Sequence, residues 1–323
     1  MKSLRKTVGE YLELRRGLGY KLDRIETRLG QFLSFMDERR TSRITTDLAL
    51  EFATQDPRLS PVTISTRLSA VRGFARYRRG IDSTTEIPPL GLLPKRQQPA
   101  LPYIYSENEI TRLLEGAKNY PSWNRFSGPW WARFQSWTFY SIFGLLAVTG
   151  MRIGEVLNLR DADIDWSEGV LTIRNAKFGK SRLVPLHRST LKALRTFVQH
   201  RDRFFAQLKP QPEVTHLFVT SRGSQMDVGQ VNRVFLCISR QIGLRGPDAR
   251  RGPRLHDFRH RFAIETLLRW YRDDETVDRL LPVLSTYLGH THVTSTYWYL
   301  RCTPELMAAA GERLERRWEG VQS

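Results

Sequence analysis

The sequence predicts a mainly α-helical chain with a small β-hairpin or sheet (α+β), divided into two domains. Its 323 residues exceed the ~250–300 at which a single hydrophobic core stops growing. Apolar residues recur at helical spacing along most of the chain. A proline-rich stretch interrupts that pattern at 88–102. We therefore predict a helical domain over 1–87, a basic linker over 88–102 and a second domain over 103–323.

The first domain is predicted to be a helical bundle. Thr45 to Asp47 is a plausible helix cap, and Ser60 followed by Pro61 is typical of a helix start. A helix between positions 22 and 36 is indicated by apolar residues three and four apart, which are Leu22, Ile25, Leu29, Phe32, Leu33 and Met36. The helix that begins at Ser60 carries Ile64, Leu68, Val71 and Phe74 on its apolar side.

That last helix is also strongly basic, since it carries five arginines and no acidic residue occurs between Ser60 and Gly80. Runs of like charge are usually solvated helix faces, but the missing counter-charges favour contact with a DNA backbone. The net charge of +18 supports a polyanionic partner. The residues expected to bind double-stranded DNA are Arg67, Arg72, Arg76 and Arg79, with Lys95 and Arg96 of the linker and Lys180 further on.

The second domain is predicted to begin with a capping box from Ser106 to Glu109. A nearly all-apolar core helix should follow over about 131–148. The alternating stretches 170–174 and 182–186 predict two strands of a hairpin, and Leu217 to Val219 a third short strand. Helical spacing returns after Asp227 and dominates to the end.

Composition excludes several other classes of protein. Cys237 and Cys302 are the two cysteines, and neither has a Cys or His at metal-ligand spacing, so neither a disulfide framework nor a zinc site is expected. No run approaches the ~18 apolar residues of a membrane span, and the basic N-terminus precedes no apolar signal region. We expect a soluble cytoplasmic protein.

Six polar residues spread over the second domain suggest a chemistry. In chain order they are Arg152, Lys177, His256, Arg259, His290 and Tyr299. Cutting a phosphodiester without a metal requires charge neutralisation on the phosphate oxygens, which guanidinium forks provide, and management of two protons. A tyrosine can serve as the nucleophile once its proton is removed. Each of these residues alone is more often structural, and only the ordered set indicates phosphodiester cleavage.

The motifs around these residues resemble those of the tyrosine recombinases, the phage integrase and Xer-type family. Thr149 to Leu159 is similar to its first-arginine motif, His256 to His260 to its His-x-x-Arg box, and Leu288 to His290 to its Leu-Gly-His box. Tyr299 follows His290 by nine residues, as the family's nucleophile does. The resemblance covers both domains. It implies a SAM-like core-binding domain and a catalytic domain that together form a C-shaped clamp on DNA.

The resemblance also implies a role for each residue. Tyr299 would attack the scissile phosphate to form a 3′-phosphotyrosyl link, with His256 accepting its proton and His290 contacting a phosphate oxygen. Lys177 on the hairpin would protonate the departing 5′-oxygen, with Lys180 as its rival. No metal or other cofactor would be needed, and no ATP, because the ester conserves the bond energy.

Several neighbours have a competing interpretation. Tyr297 is the other candidate nucleophile, but side chains two residues apart on a helix point in different directions, and the family register selects Tyr299. Glu155 is expected to orient Arg152, and His260 to be a satisfied core histidine. A helix after Thr303 either closes its own domain or packs onto a neighbouring protomer of a tetramer on DNA.

The function indicated is integration, excision or transposition of a mobile element. Alternatives are an Xer-type resolvase and a DNA-binding regulator derived from a recombinase. A type IB topoisomerase would share the chemistry, but the Leu-Gly-His box and the helical bundle favour recombination.

Overall fold

A computed structural model describes residues 3–20, 22–93, 101–120, 129–174, 181–249, 251–273 and 276–319. The chain divides into two compact units, 1–100 and 101–323. The division falls inside the stretch interpreted as a linker. Lys95 and Arg96 lie outside the described residues.

The N-terminal unit contains helices α1 (Leu4–Gly17), α2 (Asp23–Glu38), α3 (Thr46–Thr54) and α4 (Pro61–Arg79). The predicted caps are confirmed: the Thr45 and Ser60 side chains accept hydrogen bonds from the first turns of α3 and α4, and Pro61 opens α4. The side chains of Phe32, Phe52 and Phe74 are fully buried. The apolar stripes therefore form one core of their own.

The C-terminal unit contains helix α6 (Pro129–Thr149), whose central side chains are buried. The predicted capping box is present at Ser106, where α5 begins. The remaining helices are α5 (Glu107–Lys118), α7 (Ile153–Leu157), α8 (Arg188–Ala206), α9 (Val228–Gln241), α10 (Asp257–Arg272), α11 (Val277–Leu288), α12 (Thr294–Tyr297) and α13 (Pro304–Glu319).

A three-stranded antiparallel sheet lies beside these helices, in the order β1 (Ile164–Asp165), β2 (Val170–Ile173), β3 (Arg182–Pro185). The predicted hairpin is confirmed, with Ile173 opposite Arg182. The prediction of a third strand at Leu217 to Val219 is wrong. Val219 makes one isolated bridge to Gln225, and these apolar side chains are buried without a ladder partner. Burial, rather than strand pairing, accounts for that apolar run.

Helix α13 packs on α10 of its own unit. Leu306 is fully buried in a cluster that also contains Leu284, Leu288 and Tyr299. Met307 and Leu314 remain exposed. In this structure the helix after Thr303 packs on its own domain, and its packing onto a neighbouring protomer stays a prediction.

None of the helices in the described ranges is both long enough and apolar enough to span a membrane.

Candidate active site

The turn between α6 and α7 places Arg152. Gly150 has φ +60°, and a Cβ there would lie 2.7 Å from Phe262, so the turn depends on glycine. Arg152 is the residue before α7, and its backbone N–H donates to the Glu155 carboxylate at 2.9 Å. Its guanidinium donates to the Gly289 carbonyl at 3.1 Å. The first-arginine motif therefore touches the Leu-Gly-His box directly.

Glu155 is a buried carboxylate shared by two arginines. It accepts hydrogen bonds from Arg152 Nη1 at 2.8 Å and from Arg182 Nη2 at 2.7 Å. Burial alone would raise its pKa, but the hydrogen bonds and charge of Arg182, with those of Arg152, lower the pKa of Glu155 to about 2. The expectation that Glu155 orients Arg152 agrees with these contacts.

Arg182 also binds the backbone of α11. Its Nε donates to the Tyr287 carbonyl at 2.6 Å, and its side chain is 8% exposed. Strand β3 is thereby joined both to α7, through Glu155, and to the segment that carries His290. Arg182 was not among the predicted site residues.

Among the predicted residues that the structure describes, Arg259 is the most deeply buried, at 1% exposure on the first turn of α10. Its guanidinium donates to the Gly150 carbonyl at 3.0 Å and to the Leu288 carbonyl. Burial and the charge of Arg152 lower the pKa of Arg259 to about 10. It therefore stays cationic at neutral pH, beside Arg152, where an anion would be stabilised.

His256 precedes the first turn of α10 and keeps an exposed edge. Desolvation of the rest of the ring, then the charges of Arg259 and Arg152, lower its pKa. Its ring stands edge-on to that of His260, with centroids 4.8 Å apart. Among the described residues His256 makes no hydrogen bond to Tyr299.

His290 follows the left-handed residue Gly289 (φ 66°), which ends α11. Its Nδ1 lies 2.7 Å from the Thr296 hydroxyl, which fixes the ring. Burial and the positive charges of Arg259 and Arg152 lower the pKa of His290 to about 4. The imidazole is therefore neutral at pH 7.

Tyr299 lies on a 3₁₀ helix, Trp298–Arg301, and is 2% exposed. Its hydroxyl is 3.2 Å from His260 Nδ1, and its ring is nearly parallel to that of His290, with centroids 6.2 Å apart. Burial raises the pKa of Tyr299, while the charge and a hydrogen bond of Arg259 oppose that increase. Tyr297 is 49% exposed and is not part of the buried cluster that contains Tyr299.

The structure thus brings Arg152, Arg259, His290 and Tyr299 together, with His256 at the edge. Lys177 and Lys180 lie outside the described residues. His260 contacts the hydroxyl of the candidate nucleophile, so it is more than a satisfied core histidine. Only its position four residues after His256, on the same side of a helix, could have indicated this from the sequence.

The arginines of α4 have unequal environments. Arg67 is 8% exposed, with its guanidinium 4.3 Å from the centre of the Phe52 ring. Arg72 donates to the carbonyls of Pro88 and Pro89. Arg79 donates to the Thr85 carbonyl. Arg76 is exposed and, within the described ranges, has no hydrogen bond or ion pair. Contact of these residues with DNA stays a prediction, and Arg76 is the one best placed for it.

No group of three or more His, Cys, Asp or Glu that could hold a metal ion occurs among the described residues.

A helical unit that surrounds a buried tyrosine with two arginines and three histidines is typical of enzymes that cut DNA with a tyrosine nucleophile. Comparison with known proteins identifies the family. The phage integrase family matches residues 106–305. The chain belongs to this family and is a site-specific DNA recombinase.

Two relatives show how far the similarity extends. The protein y4rB of Sinorhizobium fredii (strain NGR234), by its name an integrase/recombinase, is 50% identical over 319 residues, which is 99% of both chains. The tyrosine recombinase XerC of Chlorobaculum tepidum is 29% identical over 253 residues, covering 77% of this chain and 71% of the relative.

Solved structures confirm the fold. The Tn1549 transposon integrase in complex with transposon right end DNA has a TM-score of 0.65 at 16% identity, covering 97% of this chain and 99% of that one. The XerH recombinase bound to its palindromic difH substrate has a TM-score of 0.63 at 20% identity, covering 89% and 78%.

Proposed function

We propose that this recombinase cuts and rejoins DNA through a covalent 3′-phosphotyrosyl bond to Tyr299, in the cytoplasm and without a metal ion. The observation that carries the proposal is the position of the Tyr299 hydroxyl. It lies beside Arg259 and within 3.2 Å of an imidazole nitrogen. A phenol needs both a cationic neighbourhood and a proton acceptor to attack a phosphate at neutral pH.

The two arginines would bind the non-bridging oxygens of the scissile phosphate. Both are fixed by backbone carbonyls, Arg152 by Gly289 and Arg259 by Gly150. Such preorganised donors stabilise charge that develops in the transition state without having to reorient. His290 would add a neutral donor, and Lys177 would protonate the departing 5′-oxygen. The role of Lys177, against that of Lys180, stays an expectation from the family resemblance.

We propose that the recombinase acts on the ends of a mobile DNA element, so that its reaction is integration, excision or transposition. The 50% identity to y4rB over nearly the whole of both chains supports this more than the 29% identity to XerC supports chromosome or plasmid resolution. A binding-only regulator is disfavoured because Arg152, Arg259, His290 and Tyr299 are all present and brought together. We propose a tetramer on DNA, which mass photometry of the protein on its recombination site would test.

Covalent trapping tests the chemistry. The full-length protein is incubated with nicked suicide duplexes that carry the ends of the element encoding it, in buffer with EDTA. Wild type and Tyr297→Phe should form a protein–DNA adduct that resists denaturant, and Tyr299→Phe should form none. An adduct that survives Tyr299→Phe would refute the nucleophile. An adduct that wild type forms without EDTA but not with EDTA would refute the metal-free mechanism. Absence of an adduct on every DNA end would favour the binding-only regulator.

A further inference from the structure

The Tyr299 hydroxyl has a specific neighbour that the family resemblance does not assign to it. His260 Nδ1 lies 3.2 Å from the phenol oxygen. The His260 ring also contacts the Trp298 and Tyr299 rings, at centroid distances of 5.5 and 5.6 Å. His260 is half-buried on α10, one turn after His256 and directly after Arg259. The nucleophile is therefore seated against the second histidine of the box, not the first.

His256 has a different environment. It lies at the very start of α10 and keeps an exposed edge, and its ring is perpendicular to the His260 ring. Its position near the charges of Arg259 and Arg152 suits a group that touches the phosphate. Because successive helical turns are about 5.4 Å apart along the axis, one histidine can reach the phosphate while the other reaches the tyrosine. The two imidazoles are thus placed for separate tasks.

His260 is neutral under physiological conditions. Burial, then the charge of His256, lower its pKa to about 4, and Asp257 only partly offsets the further effects of Arg254 and Arg259. The other imidazoles nearby are those of His256, 4.8 Å away between ring centroids, and His290, which is itself neutral at pH 7. A neutral imidazole with its proton on Nε2 presents a free lone pair on Nδ1. His260 can therefore receive a proton where the phenol hydroxyl is.

We propose that His260, rather than His256, accepts the phenol proton when Tyr299 attacks. The Tyr299 O–H bond breaks and an Nδ1–H bond forms on His260, which becomes an imidazolium. The phenol oxygen forms a bond to phosphorus, the P–O5′ bond breaks, and the departing 5′-oxygen takes a proton from a different donor. Rejoining reverses each step, with the His260 imidazolium returning its proton to Tyr299. This inference rests on the proposed function and assigns one role within it.

His260→Asn is the decisive variant, because the Asn side-chain oxygen can occupy the place of Nδ1 and accept a hydrogen bond but is not basic. Single-turnover adduct formation on the suicide substrate would be measured from pH 6 to pH 9.5. We expect a loss of about 10²–10⁴-fold at pH 7. The loss should shrink by up to about tenfold per pH unit as hydroxide replaces the missing base.

Controls separate this role from others. His256→Asn should slow the reaction by a similar factor at every pH, and the exposed His292→Asn should leave the rate unchanged. A His260→Asn rate within about threefold of wild type, or a deficit that is constant with pH, would overturn the proposal. So would a pH-dependent deficit in His256→Asn. His260→Gln provides the second variant if His260→Asn does not fold. Absence of a wild-type adduct would instead refute the proposed function.

Discussion

Replacement of Glu155 by glutamine should lower the free energy of unfolding of the C-terminal unit by about 3 kcal/mol at pH 7. The pKa of Glu155 is about 2 in the folded chain, against an ordinary 4.5. Each pH unit of difference corresponds to about 1.4 kcal/mol, so the difference equals about 3 kcal/mol. Little discount for solvent screening is needed, since the Glu155 side chain is 7% exposed.

The pH dependence follows from the sign of that change. Because the folded-state pKa lies below the unfolded one, the stabilisation is complete above about pH 4.5 and is lost as the pH falls toward 2. The difference between wild type and Glu155→Gln should therefore be constant from pH 8 to pH 5. It should fall to about 2 kcal/mol by pH 3.5.

Denaturant unfolding followed by tryptophan fluorescence measures this unit selectively, because all 8 tryptophans lie after residue 100. Glu168→Gln is the matched control, since Glu168 is exposed and its side chain has no partner within the described ranges. It should change the free energy of unfolding by less than about 0.5 kcal/mol. A Glu155→Gln effect below about 1 kcal/mol at pH 7, or one that does not decline on acidification, would refute the reasoning.

Three further outcomes are expected. Arg76→Ala should lower the slope of log affinity for DNA against log salt concentration by about one, as measured by fluorescence anisotropy. The buried Arg67→Ala should instead mainly lower the thermal stability of the N-terminal unit. An unchanged slope in Arg76→Ala would show that Arg76 does not contact the DNA backbone. Leu306→Ala should destabilise the C-terminal unit by about 2–5 kcal/mol because the Leu306 side chain is fully buried. Replacement of the exposed Met307 by alanine should destabilise it by less than about 0.5 kcal/mol. Equal losses of unfolding free energy in denaturant titrations of the two variants would contradict the packing of α13. Gly150→Ala should reduce both the stability of the C-terminal unit and the formation of the adduct, because Gly150 has a φ of +60° and the added Cβ would lie 2.7 Å from Phe262. Wild-type stability together with wild-type adduct formation would show that the turn tolerates a side chain.

Local signals in the sequence predicted the helices well. Caps at Thr45, Ser60 and Ser106 depend on hydrogen bonds within one turn, so their residues alone reveal them. The prediction of a third strand at Leu217 to Val219 was wrong because a short apolar run indicates burial but does not distinguish a strand from a buried loop. Strand β1 has only two residues and no periodicity to detect.

The sequence pointed to candidate site residues, but it could not predict their contacts. Ordered motifs indicated Arg152, Arg259, His290 and Tyr299, and the structure brings these four side chains together. The contact between His260 and Tyr299 spans 39 positions, and that between Arg182 and Glu155 spans 27. Pairings over such distances depend on how α10, β3 and the last helices pack. No local pattern encodes them.

The arginines of this site are anchored mainly to carbonyl oxygens of the main chain, those of Gly150, Leu288 and Gly289. Every amino acid carries a carbonyl, so a change of side chain at one of these positions does not itself remove the anchor. A shift of the backbone would move it. The reactive geometry should therefore tolerate divergence at many neighbouring side chains while it resists insertions and deletions between the boxes. Drift in sequence should reach the chemistry chiefly where it moves the main chain, as at Gly150 and Gly289, whose positive φ favours glycine.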